Sequence, residues 1–449
     1  MIAFRGLNLS GRGTADQADA RLSGVISLTM IGVYLVNLYA GLDEFLHIPT
    51  SYVSIFAKAI IGVYLLFILP VLIRRINKRV ILFAVISLFV SLLNYFLFPG
   101  LRNHFPDIFL TFLTTCFPLA ICIYEIKIPA VLYASLKRIA YVISLINVVL
   151  LGFFIISGYP FNNNQYSMGF GAACMLPACL LLDDLFRKER LIRKAAVVIL
   201  FLGDILAIFL YGSRGPLISI GCCIVLYLCQ SGLNKEIKHR YAYLATLLAS
   251  LALAAVLFGG GFKIIYQELL KRGIDSRTLY LFAFDIGHLS NREPIFQYYW
   301  QAFLDSPLAV RGIGADRANF GAYPHNIVLE LLYQLGLLGT LPILASILFL
   351  SVRSVFTNGN TPYKSLLRIF FCLAVPLRLI SGTIWEDMYF WIWVALITSH
   401  YQAERLPRQT GPAAGKIPAG ADIETDSMKK EESKHELSIE SGDTHEKQV

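Results

Sequence analysis

Tyr323-Pro324-His325-Asn326 is followed at residues 327–350 by the apolar run IVLELLYQLGLLGTLPILASILFL. A membrane-spanning helix needs about 20 mostly apolar residues, so this run is long enough to cross a bilayer. His325 then lies where the span meets water, and an imidazole there can accept or donate a proton near neutral pH. The polar loop that ends at this His, which contains Gly312 and Gly314, is therefore where we expect chemistry.

Most of the chain shares this apolar character. Of its 449 residues, 56% are hydrophobic and 15% are charged, and the mean hydropathy is +0.61. This composition excludes a soluble protein with one or two cores and predicts an all-α integral membrane protein. About twelve transmembrane helices are predicted, of which the eighth and the last are short or interrupted by charge. The predicted spans are Val25–Ala40, Val53–Leu72, Val80–Phe98, Ile108–Tyr124, Ile139–Ser157, Tyr166–Leu182, Ala195–Tyr211, Pro216–Cys229, Tyr241–Phe258, Ile327–Leu350, Leu366–Ile380 and Trp385–Tyr401.

Basic residues between the spans predict the orientation, because short positively charged loops stay on the cytoplasmic side. Alternate loops carry Lys and Arg, as in the run Arg74–Arg79, whereas Gly41–Tyr52 and Gly158–Gln165 carry neither. Both termini are therefore predicted to be cytoplasmic. The net charge of +9 reflects this retention signal. No single face collects the basic residues, so nucleic acid is not an expected partner.

The predicted organisation has five segments, with one large loop outside the cytoplasm between the ninth and tenth spans. That loop carries a nearly balanced set of charges, and Ile295–Leu304 within it predicts an amphipathic helix. Long loops are translocated regardless of their positive charge. The segments are a cytoplasmic N-terminus at 1–24, nine spans at 25–258, the extracytoplasmic loop at 259–324, three spans at 325–401 and a disordered cytoplasmic tail at 402–449.

The cysteines predict neither a disulfide framework nor a zinc site. All eight fall within the predicted spans, and none lies in the extracytoplasmic loop. No Gly-rich nucleotide-binding loop is present. The loop also has no Asp-x-Asp pair that would hold a divalent metal, so the sequence predicts a reaction that needs neither a metal nor another cofactor.

Arg214 lies in Tyr211–Pro216, a very short turn on the predicted outer side, against the positive-inside trend. One interpretation is a snorkelling arginine that anchors a helix end at the lipid headgroups. The other is an anion clamp, in which Gly212 and Gly215 let the backbone approach a ligand. The N-terminus of the following helix would favour phosphate on the same side.

Arg292 and His325 each allow two interpretations. Arg292 either forms a surface ion pair, for example with Glu293, or supplies a second cation for an anionic group, since one Arg does not neutralise a pyrophosphate. His325 either packs at a helix start or acts in catalysis, with Asn326 and Glu330 as polar neighbours.

Four further charges fall in or beside the spans. Asp204 and Arg378 lie within spans, where charges are costly and often functional. Alternatively, they satisfy each other or another polar group inside the bundle. Glu386 and Asp387 lie at an outer boundary, where carboxylates are ordinary, although they could face the same cavity as the arginines.

The order of these features resembles the O-antigen ligase and O-antigen polymerase superfamily of bacterial envelope enzymes. The chain has a Ser213-Arg214-Gly215 turn and Arg292 in a large outer loop. His325-Asn326 follows, with Leu329-Glu330 and then Gly336-Leu337-Leu338-Gly339. The His-Asn-x-x-Leu-Glu segment with its downstream Gly-x-x-Gly is the more specific part of the resemblance.

The resemblance implies a multi-span glycosyltransferase with a GT-C-like fold that uses a polyprenyl-diphosphate-linked glycan. Its implied catalytic residues are His325, Arg292 and Arg214: the arginines stabilise the departing diphosphate, and the imidazole positions or deprotonates the acceptor hydroxyl. The implied substrate-binding residues are Arg214, Arg292, Gly215, Asn326, Arg378 and Arg311. The donor would be an undecaprenyl-diphosphate glycan at the outer face of the bacterial cytoplasmic membrane.

Three functions remain open after the resemblance. A polymerase would use another lipid-linked repeat unit as acceptor, and it is favoured because nothing in the loop is dedicated to a lipid A core. A ligase would transfer the glycan to a lipid A core sugar. A flippase or transporter of lipid-linked glycan is the alternative from another class, but it would be expected to show matched halves with broken helices. Membrane lipid and a chain-length regulator protein complete the partners that the resemblance implies.

Overall fold

The computed structural model describes residues 14–40, 49–157, 167–187, 191–233, 256–285, 292–356 and 361–399. Within these ranges the chain is helical and forms no β-strand. Most of the predicted ninth span, the first 13 residues and the predicted tail lie outside the described residues. The helices are α1 Thr14–Ala40, α2 Thr50–Arg75, α3 Lys78–Leu97, α4 Phe105–Thr111, α5 Phe117–Glu125, α6 Pro129–Ser157, α7 Met168–Leu185, α8 Leu191–Tyr211, α9 Arg214–Leu233, α10 Phe262–Lys271, α11 Arg277–Phe284, α12 Glu293–Asp305, α13 Ala315–Phe320, α14 Ile327–Val355, α15 Pro362–Arg378 and α16 Met388–Ser399.

Eight helical segments of the described chain are long and apolar enough to cross a membrane. They are α1, α2, α3, the α4–α5 segment Phe105–Glu125, α6, α7, α8 and α14. Two shorter apolar helices, Arg214–Gln230 and Met388–Ser399, fall at the predicted eighth and twelfth spans. The prediction of an all-α integral membrane protein is thereby confirmed, while the number of twelve spans stays a prediction.

The helices differ sharply in how much of their surface other helices cover. In α7, 78% of the apolar span is buried inside the protein, against 6% in α2 and 11% in α3. The helices α1, α6, α8, α9 and α15 pack around α7. Because apolar side chains are stable in lipid without a protein partner, α2 and α3 have the surface expected of lipid-facing helices.

The polar interior of the bundle explains Asp204 on α8. Its carboxylate accepts hydrogen bonds from Ser144 Oγ at 2.6 Å and from Asn147 Nδ2 at 2.7 Å, both on α6. The Asn147 side chain in turn accepts from the Tyr34 hydroxyl at 2.7 Å. Asp204 therefore has neutral polar partners inside the bundle and does not pair with Arg378. Its hydrogen bonds offset the cost of burying the carboxyl group.

A break in α14 shapes the loop before His325. Gly336 has φ 64°, and a Cβ there would lie 2.9 Å from the carbonyl oxygen of Ala309. The loop enters this break: the amides of Arg311 and Gly312 both donate to the Gln334 carbonyl at 2.9 Å. The amide of Leu337 donates to the Pro307 carbonyl at 2.8 Å. The interrupted helical hydrogen bonds are thus replaced by bonds to the loop.

The same loop is held from its other side by α3. The Asn94 side chain accepts from the Ile313 amide at 2.7 Å and donates to the Ile313 carbonyl at 3.1 Å. A Cβ on Gly312, which has φ 90°, would lie 2.6 Å from the Phe98 ring. The loop at Gly312 and Ile313 is therefore packed between α3 and the broken helix.

Candidate functional site

Several predicted residues meet at the C-terminal end of α15, in the turn formed by residues 379–381. Arg292 donates to the Ile380 carbonyl at 2.8 Å and to Ser381 Oγ at 3.3 Å. Asn326 Nδ2 donates to the Leu379 carbonyl at 2.7 Å, and Arg378 Nη1 donates to the Ser381 carbonyl at 3.2 Å. The last carbonyls of a helix lack intrahelical donors and carry partial negative charge, so cationic and amide groups collect there. We call this the 379–381 turn.

His325 lies directly before α14 in an uncommon backbone conformation. Its φ is 54°, and among the described residues it alone combines a positive φ with a side chain. Asn326 begins the helix by accepting from the amides of Val328 at 2.9 Å and Leu329 at 3.1 Å. This N-cap holds the chain in the turn that presents the imidazole.

The imidazole of His325 is partly buried, and its Nδ1 has no hydrogen-bond partner within the part of the chain that the structure describes. Its ring centroid lies 4.2 Å from that of Tyr323. Burial and then the nearby Arg292 guanidinium lower the pKa of His325 from 6.5 to about 4, because both disfavour a second positive charge. The side chain is therefore neutral at pH 7 and has a nitrogen available to a proton.

Arg317 and Tyr323 join this group, although the sequence did not single them out. The Arg317 guanidinium lies over the Tyr323 ring at 5.4 Å and donates to Glu386 at 2.8 Å. Burial raises the pKa of Tyr323, whereas the surrounding Arg378, Arg292 and Arg317 lower it. Tyr323 thus lies amid three arginines, and its position two residues before His325 was the one available sequence signal.

Glu386 and Asp387 both face this group. Asp387 forms an ion pair with Arg378, and Glu386 pairs with Arg317 at 2.8 Å. Arg378 and Asp204 therefore do not satisfy each other: Arg378 pairs with Asp387, and Asp204 is bonded to Ser144 and Asn147. Pairing of this kind holds the two guanidinium groups in place and offsets part of their charge.

A buried polar layer lies beneath the site. Glu330, fully buried on α14, accepts from the Thr383 hydroxyl and from the Ile384 amide at 3.3 Å. Gln334 accepts from Trp385 Nε1 at 2.8 Å and donates to Asp316 at 2.9 Å. Glu330, predicted as a polar neighbour of His325, therefore binds the chain that follows the 379–381 turn and fixes that chain to α14.

Arg214 reaches the same end of the bundle from α9. Its Nη1 lies 3.5 Å from the Asp285 carbonyl, at the end of α11. The Thr278 hydroxyl of that helix donates to the Gly212 carbonyl at 2.5 Å. A Cβ on Gly215 would lie 2.7 Å from Leu377 Cδ1, two residues before the 379–381 turn. This contact places the start of α9, where Arg214 lies, against the last turn of α15.

The glycines beside Arg214 have packing roles in the structure. A Cβ on Gly212 would lie 2.8 Å from the Ile208 carbonyl and 3.0 Å from Gly171 Cα of α7. The α8–α9 turn and α7 approach so closely here that neither Gly212 nor Gly171 has room for a side chain. Gly215 packs against the Leu377 side chain, and its predicted contact with substrate stays a prediction.

Arg311 has internal partners away from the 379–381 turn. Its guanidinium donates to the Ala302 carbonyl at 2.6 Å and to the Tyr333 carbonyl at 3.3 Å, and it lies 4.8 Å from the Tyr333 ring centroid. These contacts join α12 to α14 and fix the loop that enters the break. Arg311 therefore has a structural role, and its predicted role in substrate binding stays a prediction.

The comparison with known families gives one match. Residues 195–344 match the family model Wzy_C, described as O-antigen ligase. The resemblance to the O-antigen ligase and polymerase superfamily is confirmed. Members of this family are glycosyltransferase-like enzymes. The matched segment contains Arg214, Arg292 and His325 but ends before α15, and neither the curated proteins nor the solved structures provide a match.

Proposed function

We propose that this chain is a glycosyltransferase of bacterial surface-polysaccharide assembly that takes its glycan from a polyprenyl diphosphate such as undecaprenyl diphosphate. The observation that carries the proposal is the meeting of Arg292, Asn326 and Arg378 at the 379–381 turn, beside a neutral His325. The family match over residues 195–344 supports the same reaction class.

The proposed reaction uses the charges that the site collects. The acceptor hydroxyl oxygen forms a bond to the anomeric carbon of the donor sugar, and the bond from that carbon to the diphosphate oxygen breaks. The diphosphate leaves with the electron pair, stabilised by Arg292 and Arg214. The hydroxyl proton passes to His325. Each arginine contact to the departing oxygens would contribute about 3 kcal/mol, as a single oxyanion donor does in other enzymes.

We place this site at the outer face of the cytoplasmic membrane, in a chain of twelve spans with cytoplasmic termini. Contacts within the bundle support the placement of Arg214 and His325 at the same end of the helices. The Ser167 amide at the start of α7 donates to the Tyr211 carbonyl at the end of α8 at 2.8 Å. Gln230 at the end of α9 donates to Val355 at the end of α14 at 2.9 Å. The starts of α9 and α14, which carry Arg214 and His325, therefore share the opposite end.

Two acceptors are compatible with this donor. The sequence favours a polymerase, which adds the glycan to another lipid-linked repeat unit, whereas the description of the matching family favours a ligase with a lipid A core acceptor. A chain-length regulator protein receives no support from the comparison and is not part of the proposal.

The assay that separates these functions uses purified protein in detergent with a lipid-diphosphate repeat unit. Lengthening of the glycan identifies a polymerase, and transfer that requires an added lipid A core identifies a ligase. If neither lengthening nor transfer occurs and the donor moves across a vesicle membrane, the protein is a transporter and the proposed function is wrong. EDTA should leave the transfer rate unchanged. Loss of transfer on chelation would refute the predicted metal independence.

The role of His325 is best tested by replacing it with asparagine. Alanine at φ 54° would strain the backbone, whereas Asn tolerates the left-handed region and does not titrate. His325→Asn should lower the transfer rate by about 10²- to 10⁴-fold, the usual contribution of a general base. A folded His325→Asn variant with unchanged activity would remove His325 from the mechanism.

A further inference from the structure

Four side chains form a continuous row that ends at the His325 imidazole. Glu386 accepts from Arg317 at 2.8 Å, and the Arg317 guanidinium lies 5.4 Å from the centroid of the Tyr323 ring. The Tyr323 and His325 ring centroids are 4.2 Å apart, at an interplanar angle of 48°. Each member thus restricts the next, from an ion pair at one end to the imidazole at the other.

The backbone that carries this row is also fixed. The hydroxyl of Tyr299, a fully buried residue of α12, donates to the Ala322 carbonyl at 2.5 Å and lies 3.0 Å from the Asp316 carbonyl. Asn326 then begins α14 immediately after His325. The segment between Asp316 and Asn326 is therefore held at both ends, and the Tyr323 ring has a defined place in it.

Tyr323 also covers one side of the imidazole. A ring at 4.2 Å leaves no room for water between the two centroids, so Tyr323 contributes to the burial that keeps His325 neutral. The other groups that face this pair are Arg292 from the start of α12, Arg317 from α13, Arg378 from α15 and Glu386 from the chain before α16. Of these, the charge that acts directly on His325 is that of Arg292.

We propose that Tyr323 is a positioning residue that fixes and desolvates the His325 imidazole, and that Arg317 and Glu386 hold Tyr323 in that position. The inference rests on the proposed role of His325 as proton acceptor. It assigns the effect to the ring of Tyr323, not to its hydroxyl. A ring that holds the base improves the geometry of the reacting atoms without binding the substrate, so its removal should lower kcat more than it changes KM.

Two substitutions separate the ring from the hydroxyl. Tyr323→Leu removes the ring, and we expect kcat for glycan transfer to fall at least tenfold while KM for the lipid-diphosphate donor changes less than twofold. Tyr323→Phe keeps the ring, and we expect it to retain kcat within threefold. Tyr52→Leu, on the exposed face of α2 with 64% of the residue accessible, is the matched control for loss of a tyrosine.

A second measurement does not depend on catalysis. In the full chain labelled at its eight histidines, the NMR signal that disappears in His325→Asn identifies His325, and its titration gives the pKa directly. We expect about 4 in the unaltered chain and in Tyr323→Phe, and a shift towards 6.5 in Tyr323→Leu, because water then reaches the imidazole.

These readouts distinguish the failure of the inference from the failure of the proposed function. If the unaltered chain transfers no glycan, the proposed function fails, and the titration still tests whether Tyr323 covers His325. Positioning by the ring is refuted if Tyr323→Leu keeps both kcat and the His325 pKa. It is also refuted if Tyr323→Phe loses as much activity as Tyr323→Leu, since the hydroxyl would then be the active group.

Discussion

At the scale of single residues, the backbone of His325 is strained. A φ of 54° is unfavourable for a residue with a Cβ, and such conformations persist only where the surroundings impose them. Here the surroundings are the Asn326 N-cap on one side and the Tyr323 ring on the other. In this conformation the imidazole lies near enough to Arg292 for the guanidinium to lower its pKa.

The pH dependence of transfer should report the His325 pKa. Burial and Arg292 lower it to about 4, so the neutral imidazole persists as the pH falls from 8 and is lost only near pH 4. We expect kcat/KM, which reports the free enzyme, to stay level to about pH 5 and to fall through pH 4. Circular dichroism at each pH excludes unfolding as the cause. An acid limb near 6.5 would contradict the observed environment of His325.

Arg292 offers a prediction about charge. Replacing it by Ala should lower the transfer rate by about 100-fold, since the loss of one charged contact to a departing oxyanion costs about 3 kcal/mol. Arg292→Lys should recover only part of this rate, because a lysine cannot span both the Ile380 carbonyl and Ser381 Oγ.

The control for Arg292 is Arg272→Ala, which removes a well-exposed arginine paired with Glu268 on the surface of α10. That variant should transfer glycan at the unaltered rate. Equal losses in Arg292→Ala and Arg272→Ala would indicate a general effect of positive charge, and Arg292 would then have no special role at the site.

At the scale of elements, the broken helix α14 joins the membrane bundle to the loop that carries the site. The break receives the 307–312 segment through three backbone hydrogen bonds at 2.8–2.9 Å. The sequence marked this segment as part of a polar loop, but its partner is a helix that the sequence presents as one uninterrupted apolar run. The break occurs at Gly336 because both its positive φ and the nearby Ala309 carbonyl require a residue without a side chain.

Gly336→Ala should therefore destabilise the protein. The conformation at φ 64° and ψ −178° is essentially restricted to glycine and costs a residue with a Cβ about 1–3 kcal/mol. The contact with the Ala309 carbonyl adds to that cost. Thermal unfolding in detergent should show a clearly lower midpoint. Gly152→Ala is the matched control, because a Cβ there meets nothing within 4 Å in the interior of α6. It should be neutral or slightly stabilising, and an equal midpoint for both variants would argue against the break.

At the scale of the whole molecule, the distribution of positive charge predicts which end of the bundle faces outwards. Positive charges predict that the end bearing Arg214 and His325 is outside, while the start of α3, with Arg79 bonded to the Ser399 carbonyl, lies inside. Labelling of introduced cysteines with a membrane-impermeant maleimide tests this directly. In a Cys229→Ser background, Ser306→Cys should react in intact cells. Phe356→Cys, which is exposed at the end of α14, should react only after permeabilisation.

The reverse labelling pattern would mean that the candidate site faces the cytoplasm, and a donor at the outer face of the membrane could not reach it. Labelling of both cysteines in intact cells would instead mean that the two ends of α14 share one side of the membrane. Either result would overturn the predicted topology, since α14 must then fail to span the bilayer in the predicted direction.

The residues of the site were predictable to different degrees. His325, Asn326, Arg292 and Arg378 were named from the sequence, because charged and titratable groups are conspicuous beside apolar spans. Arg317 was not distinguished from the other loop arginines, since its role depends on Tyr323 and on Glu386, 69 positions away. The grouping of Arg311 with the binding residues did not anticipate its two carbonyl partners on α12 and α14.

The sequence by itself determined the class of molecule, because apolar runs of about 20 residues leave a bilayer as their only stable surroundings and backbone hydrogen bonding then requires helices. It also determined which titratable residues lie at the ends of those runs. Only the tertiary structure decided which of those ends come together. The 379–381 turn, the break at Gly336 and the row from Glu386 to His325 each depend on contacts between segments distant in the chain, and no local periodicity records them.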